Sequence, residues 1–397
     1  MNSDKLVVGV VGAGAMGSGI AQVAAAAGHH VILGDANVNT FTRAHASIAR
    51  ALARDVDKGR LDEAGAEAAL GRIADADDLS RGYQAFAECG VVIEAVVEDL
   101  AVKRTLFAGL ERVVASECIL ATNTSSLSIA AIGGGCKRAE RVLGIHFFNP
   151  APVMPLVEIV PGVATSPAQL DVARALVDSW NKKTVIASDT PGFIVNRIAR
   201  PFYSESLRQL EEGIADAATI DWAMRDIGGF RMGPFELMDF IGNDVNFAVT
   251  SSVFEAFFHD SRYRPALTQR RLVEAGRLGR KSGRGYYDYG EGAVQPEPTR
   301  DAAVGQAVVD RTLAMLVNSA VDAVHMRVAS PADIETAMMK GVNYPRGLLA
   351  WGDEIGASVI LERLESLSEE YREERYRPSP LLRRHVREGL KLSAHTQ

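Results

Sequence analysis

The chain has 397 residues, 47% hydrophobic and 23% charged, the balance of a globular protein with length for two or three domains. Its formal net charge is −7, so no general basic field exists to attract nucleic acid, although a phosphate-bearing small ligand needs only a local cluster of cations. No run approaches the roughly 20 apolar residues of a membrane span. No targeting segment is read at the front, and Cys89, Cys118 and Cys136 lack metal-ligand spacing, so the expectation is a cytoplasmic protein with free thiols, no metal and no membrane partner.

The first part alternates strand and helix. Leu6 to Val11 is a valine-rich apolar run that reads as a buried parallel strand, and the alanine-rich segment Met16 to Ala27 reads as a helix stopped by Gly28. His30 to Leu33 predicts a second strand, leading to Asp35. Helical patterns follow over Val38 to Lys58 and Asp62 to Gly71. Val91 to Val96, Ile119 to Thr122, Val142 to Phe147, Leu156 to Val160 and Thr184 to Ala187 are further short strands. The expected fold class is an α/β, Rossmann-type N-terminal domain with a doubly wound parallel sheet, followed by two related all-α domains. Asp189-Thr190-Pro191-Gly192 reads as a helix-start signal, and the polar stretch 291–300 with two prolines as a linker. The expected domains are therefore 1–188, 189–292 and 300–397.

The two helical segments carry an internal repeat. ADAATIDWAM at 215–224 matches ASPADIETAM at 329–338, and at the same offset of 114 residues Gly233 falls on Gly347, Asp239 on Asp353 and Ile241-Gly242 on Ile355-Gly356.

Gly12-Ala13-Gly14-Ala15-Met16-Gly17 is a G-x-G-x-x-G turn between a predicted strand and a helix, the context in which such a turn binds a dinucleotide. Gly12 allows the tight turn, Gly14 lets the pyrophosphate approach, and Gly17 allows helix–strand packing; an ordinary strand–turn–helix is the bland alternative. Asp35 lies 18 residues after Gly17, where a carboxylate accepts the ribose hydroxyls and repels a 2′-phosphate. The neighbours Ala36, Asn37 and Val38 offer no arginine for such a phosphate, so NAD is expected rather than NADP.

Two strand-end segments carry chemistry. Thr122-Asn123-Thr124-Ser125-Ser126 is dense in hydroxyls, and His146-Phe147-Phe148-Asn149-Pro150 is followed 12 residues after His146 by Glu158. A lone histidine here is as readily a core or strand-end residue as a base. A His–Glu pair would satisfy both groups and set the imidazole tautomer. From spacing alone, Ser125 and Asn196 are equally well structural.

These residues sit in stretches that together resemble the 3-hydroxyacyl-CoA dehydrogenase family over nearly the whole chain: VGAGAMGSGIAQVAA, VIEAVVED, ATNTSSLSI, HFFNPAPVMPLVEIV, DTPGFIVNR, MGPFELMDFIG and GRKSGRGYYDY. The resemblance implies oxidation of a (3S)-3-hydroxyacyl-CoA by NAD, with His146 as acid/base, Glu158 orienting it, and Ser125 and Asn196 on the reacting oxygen. It implies cofactor contacts from Glu98, Lys103, Ser125, Asn149 and Lys281 besides the glycine turn and Asp35. Coenzyme A contacts fall on the basic helix after Asp35, at Lys58 and Arg54, although Ala51 stands where family members have a hydroxyl. Position 310, equivalent by the repeat to Asn196, is Asp310, so the second helical domain reads as an internal pseudo-dimer partner without a second site; further homo-oligomerisation is left open. The acyl group is left open between 3-hydroxybutyryl and 3-hydroxyadipyl. A distal carboxylate would need a cation, for which Arg231 is a candidate, with a plain loop role as its alternative. The competing readings are a sugar-acid 3-dehydrogenase of the same fold and a non-catalytic NAD-binding protein.

Overall fold

The computed structural model describes residues 6–37, 39–77 and 79–394. The chain divides into two compact units, 1–190 and 191–397.

The first unit is built on strands β1 (Val8–Val11), β2 (Val31–Gly34), β3 (Ile73–Asp75), β4 (Val91–Glu94), β5 (Ile119–Thr122), β6 (Val142–Phe147), β7 (Leu156–Pro161) and β8 (Lys183–Ile186). They form one sheet in the order β3-β2-β1-β4-β5-β6-β7-β8. The helices are α1 (Ala15–Ala26), α2 (Asn39–Asp57), α3 (Glu63–Gly71), α4 (Leu100–Leu110), α5 (Ile129–Gly133) and α6 (Pro167–Ser179). The central strands β1, β4 and β5 are buried along their whole length. Strands covered on both faces need no polar alternation, and each buried Val, Leu or Ile contributes about 1.5–3 kcal/mol. The chain reverses its winding between β1 and β4, which are neighbours, and a crevice at such a switch point is where open α/β sheets bind ligands.

Two features depart from the sequence reading. Strand β3 lies in a segment with too few apolar residues to stand out. The sheet is also not all parallel: β7 runs antiparallel to β6, with His146 directly opposite Glu158. The connection between them is too short for a crossover helix, so the chain can only turn back on itself. The predicted helix from Val38 begins at Asn39 in the structure, Val38 itself lying outside the described residues.

Asp189 is a further correction. It does not cap a helix of the following unit. Its carboxylate accepts from the backbone N–H of Ile129 (2.9 Å) and Ala130 (2.8 Å), and from the Ser128 hydroxyl (2.9 Å), at the N-terminus of α5. The free N–H groups of a first turn and its positive dipole draw a carboxylate there, and tertiary proximity supplied one from 60 residues away.

The second unit is helical. Its first half holds α7 (Val195–Ile198), α8 (Arg200–Glu211), α9 (Ala217–Trp222), α10 (Pro234–Ile241), α11 (Asn243–Ala256) and α12 (Leu267–Glu274). Its second half holds α13 (Ala302–His325), α14 (Pro331–Gly341), α15 (Leu348–Ile355), α16 (Ala357–Tyr371) and α17 (Pro380–Glu388). The repeat is structural. Asp221 accepts from the N–H groups of Phe235 and Glu236 at the start of α10, both at 2.9 Å, and Glu335 accepts from Leu349 N–H at the start of α15, at 2.6 Å. Asp239 receives Tyr286 and Tyr287 N–H, while Asp353 receives Leu392 and Ser393 N–H. Gly242 and Gly356 stand at φ 106° and 102°, a backbone that side-chain-bearing residues rarely adopt, which is why glycine recurs there. Arg197 lies over the Phe257 ring and Arg311 over the Tyr371 ring, each at 4.9 Å. Among the described residues no helix is long and apolar enough to cross a membrane.

Candidate active site

The glycine turn leaves β1 and enters α1. At Gly12 the backbone has φ 101°, and a Cβ would lie 2.5 Å from the carbonyl oxygen of Ala95, so only glycine fits. At Gly17 a Cβ would lie 1.7 Å from the carbonyl oxygen of Gly12, which fixes the close approach of helix to turn. At Gly14 a Cβ would meet nothing within 4 Å, so this glycine leaves open space above the first turn of α1. Asp35, just past β2, accepts from Ala13 N–H at 2.8 Å and from Asn37 N–H at 3.0 Å. A cavity of about 790 Å³ opens beside Gly12, Gly14, Asp35, Tyr83 and Val96. That is the volume, the open backbone and the single carboxylate a dinucleotide without a 2′-phosphate calls for.

The acid/base candidate sits near the end of β6. His146 is 5% exposed and Glu158 fully buried, and their side chains meet at 2.7 Å, imidazole Nδ1 to Oε2. The antiparallel register accounts for this: directly opposed residues on two strands place their side chains on one face within contact range. A carboxylate can only accept, so Nδ1 carries a proton, and Nε2 is the ring nitrogen left to exchange one with substrate. The Phe148 ring stacks obliquely on the imidazole at 4.6 Å. Asn123 accepts from Phe147 N–H at 2.8 Å and ties the hydroxyl-rich turn after β5 to this strand end.

That turn is organised by Glu98. Its Oε1 accepts from the hydroxyls of Thr124 (2.5 Å) and Ser126 (2.8 Å) and from Ser125 N–H (3.2 Å). Burial pushes the Glu98 carboxyl up, but the hydrogen bonds from Thr124 and Ser126 and the Lys103 ammonium outweigh it and hold the group below the usual carboxylate range. Ser125 is half-buried and engages Glu98 through its backbone N–H. Lys103 is 1% exposed; its ammonium lies 2.5 Å from Glu94 and 3.3 Å from Glu98. Its charge is thus committed to two carboxylates inside the protein. Asn123, Thr124 and Ser126 were singled out from the sequence only as parts of the hydroxyl-rich segment, without partners, and Glu94 was not singled out; Glu98 and its match to VIEAVVED was the available clue to what gathers the turn.

A second groove, of about 650 Å³, runs from Gly14 along α2 to Asn149. Arg43, Arg54, Lys58 and Arg60 all line it, with Asn149, Pro150 and Val153 on the far wall. The structure therefore brings Lys58 and Arg54 together and adds Arg60, which is held by Asp55 at 3.3 Å. Asn196 and Lys281 belong to the second unit. Asn196 is half-buried on α7, and Lys281 is ion-paired to Asp244 at 2.6 Å. Arg231 is exposed on a bend before α10.

A parallel-dominated sheet with a glycine turn at its switch point, a buried His–Glu pair at a strand end and a helical unit beyond define the class of two-part nucleotide-dependent dehydrogenases. The chain belongs to the 3-hydroxyacyl-CoA dehydrogenase family: residues 7–190 match the family's NAD-binding domain, and residues 192–289 and 308–396 each match its C-terminal domain. It is accordingly an NAD-dependent dehydrogenase, and the double match bears out the reading of two related helical domains. It is 42% identical to the 3-hydroxyadipyl-CoA dehydrogenase of Escherichia coli K12, over 95% of this chain and 96% of that one. It is 43% identical to the 3-hydroxybutyryl-CoA dehydrogenase of Bradyrhizobium diazoefficiens, over 74% of this chain and 98% of the relative. The crystal structure of a 3-hydroxybutyryl-CoA dehydrogenase from Escherichia coli K12 superposes with a TM-score of 0.89 at 40% identity, covering 96% of this chain and 98% of that one.

Proposed function

We propose that this enzyme catalyses the reversible NAD-dependent oxidation of a (3S)-3-hydroxyacyl-CoA to the 3-oxoacyl-CoA. The observation that carries the reading is the buried His146–Glu158 pair at 2.7 Å at the mouth of the sheet. NAD, when bound, would supply the acceptor for the hydride that leaves C3. The glycine turn from Gly12 to Gly17 and Asp35 would hold its pyrophosphate and ribose, with Glu98, Asn149 and Lys281 as further contacts. Lys103 acts through Glu98, by holding it ionised and in place.

His146 Nε2 takes the proton of the 3-hydroxyl, and Glu158 stabilises the imidazolium that results. Such acid/base assistance is worth about 10²- to 10⁴-fold. Ser125 and Asn196 donate to the substrate oxygen and keep it in line with the base; Asn196 enters on its place in the GFIVNR motif. Lys58 and Arg54 hold coenzyme A phosphates, supported by their place in a groove lined by four cations. The two halves of the second unit form an internal pseudo-dimer, supported by the reciprocal pairing of Arg197 with Asp322 and Arg311 with Glu205. The enzyme works in the cytoplasm, where its three free thiols stay reduced.

His146→Ala and Glu158→Gln are expected to lower kcat by about 10²- to 10⁴-fold and about 10- to 100-fold, with the circular-dichroism spectrum unchanged. NADH formation from 3-hydroxybutyryl-CoA measures both. Near-normal turnover in the two variants would overturn the assignment.

A further inference from the structure

The far wall of the basic groove is a loop with little of its own to hold it. Residues 148–155 connect β6 to β7 and include Pro150, Pro152 and Pro155, which have no N–H to give. Within the loop, Val153 and Met154 N–H both donate to the Pro150 carbonyl at 3.0 Å. The carbonyls of Ala151, Pro152 and Met154 accept from no backbone N–H among the described residues. All three turn to one side chain from elsewhere in the unit. Lys182 Nζ donates to Ala151 at 2.6 Å, to Met154 at 2.8 Å and to Pro152 at 3.5 Å. Among the described residues these are the only hydrogen bonds that tie 149–154 to another element.

An ammonium has three donors, and three carbonyls meet them here. Lys182 stands on the turn between α6 and β8, just after Asn181 at φ 58°. It is half-buried, and among the described residues no carboxylate forms an ion pair with it. Burial pulls its pKa down to about 8, with no opposing charge to hold it up. The carbonyl dipoles of a single loop therefore stand in for the water and the counter-ion that a lysine ordinarily keeps.

The loop carries parts of the site, and Lys182 does not. Phe148 lies against the His146 ring at 4.6 Å. Asn149, Pro150, Pro152 and Val153 line the groove of about 650 Å³ whose other wall carries Arg54 and Lys58. Lys182 is not among the lining residues and grips the loop from outside the groove. The loop also sits close against α1: at Gly19 a Cβ would lie 3.1 Å from Pro152 Cδ and 3.2 Å from Ala151 Cβ. The seat on α1 and the grip of Lys182 together fix where this wall stands.

We propose that Lys182 is a positioning residue: it holds residues 149–154 in place as one wall of the groove, and so sets the affinity for the coenzyme A thioester without touching it. This rests on the coenzyme A reading of the groove proposed above. A wall that is free to move must be ordered each time a ligand binds, and that ordering subtracts from affinity; Lys182 supplies the order beforehand. His146 and Glu158 stand on β6 and β7, whose pairing does not involve Lys182. The loss on removing the ammonium therefore falls on binding and not on turnover.

Lys182→Met, Lys182→Gln and Lys182→Arg test this. The KM for 3-hydroxybutyryl-CoA and the calorimetric Kd of coenzyme A alone should rise about 10-fold in the Met variant and several-fold in the Gln variant. They should rise less than about 3-fold in the Arg variant, which keeps a charged donor. In all three, kcat and the KM for NAD should move less than about 3-fold. Hydrogen exchange at the Val153 and Met154 amides should quicken in step with the Kd. If Lys182→Met does not fold, the other two variants still decide, and an Arg variant that binds no tighter than the Gln variant sinks the proposal. So do folded variants that bind coenzyme A as the wild type does, or a loss spread evenly over kcat and both KM values. If the wild type binds coenzyme A but forms no NADH from the thioester, the dehydrogenase function falls, while the Kd series still reports on Lys182.

Discussion

The two halves of the helical unit share a skeleton and differ in their chemistry. Both keep the carboxylate that caps the helix after a Gly-led turn (Asp221 and Glu335), the carboxylate that gathers a distant loop (Asp239 and Asp353), the positive-φ glycine (Gly242 and Gly356) and the arginine over an aromatic ring (Arg197 and Arg311). The first half alone has Asn196 and Arg200, where the second has Asp310 and Ala314. Asp310 is spent on a local ion pair with Arg363 at 2.7 Å. The difference separates two kinds of polar residue. Those in both halves satisfy the backbone or one another and hold the fold. Asn196, found in the first half only, is the one proposed above for the substrate oxygen.

The largest expected effect tests whether the shared arginines are equally structural. Arg311 reaches Glu205, Glu212 and the hydroxyls of Tyr371 and Tyr376, and Glu205 is 1% exposed. Arg311→Met removes the shorter ion pair of that buried carboxylate, leaving it Arg208 at 3.7 Å, together with the pairing to Glu212, and should cost about 3–5 kcal/mol. Arg197→Met should cost about 1–2 kcal/mol, because Arg262 still pairs with Asp322 at 3.2 Å. Urea unfolding of both variants checks the order; equal losses would mean that the two halves are held alike.

Next comes the chemistry that only one half carries. Asn196→Ala is expected to lower kcat by about 10²-fold, the usual loss for one donor on a reacting oxygen. Asp310→Ala, at the equivalent position, should change kcat by less than about 2-fold, consistent with a surface residue. Steady-state rates with any accepted thioester decide it, and a comparable loss in both would give the second half a part in the reaction.

The smallest effect concerns the shared caps. Burial raises the Asp221 carboxyl from 3.8 to about 6, against the hydrogen bonds from Tyr287, Phe235 and Glu236. Burial raises Glu335 in the same direction. A carboxyl that folding moves upward binds its proton more tightly in the native state. Its contribution to stability is full below pH 3.8 and declines as the pH climbs towards 6. Asp221 should therefore remove about 2 kcal/mol between pH 4 and pH 6. The difference in unfolding free energy between wild type and Asp221→Asn, followed over that interval, should show this slope; a flat difference would mean that the cap is charged throughout.

Much of the site was legible in the chain. The glycine turn, Asp35, the strand ends bearing His146 and Ser125, and the 114-residue repeat all leave periodic or motif signals in local sequence. Less legible were groups whose meaning depends on what faces them. Glu158 could be named as a partner for His146, but not as its direct cross-strand neighbour, since the reversal of β7 follows from a connection too short to cross over. Lys103 reads as a cofactor contact by position and is an internal cation between Glu94 and Glu98 by packing.

The sequence by itself determined the class of fold, the glycine turn, the family and the duplication, because each is written in short runs of neighbouring residues or in a fixed spacing between such runs. The tertiary structure decided which charges are neutralised. Asp189 caps a helix 60 residues earlier, four cations converge on one groove, and among the described residues no carboxylate pairs with Arg200. Charge compensation acts through space and not along the chain, so no pattern of neighbours announces it. A buried arginine and a surface arginine are the same letter until the helices pack.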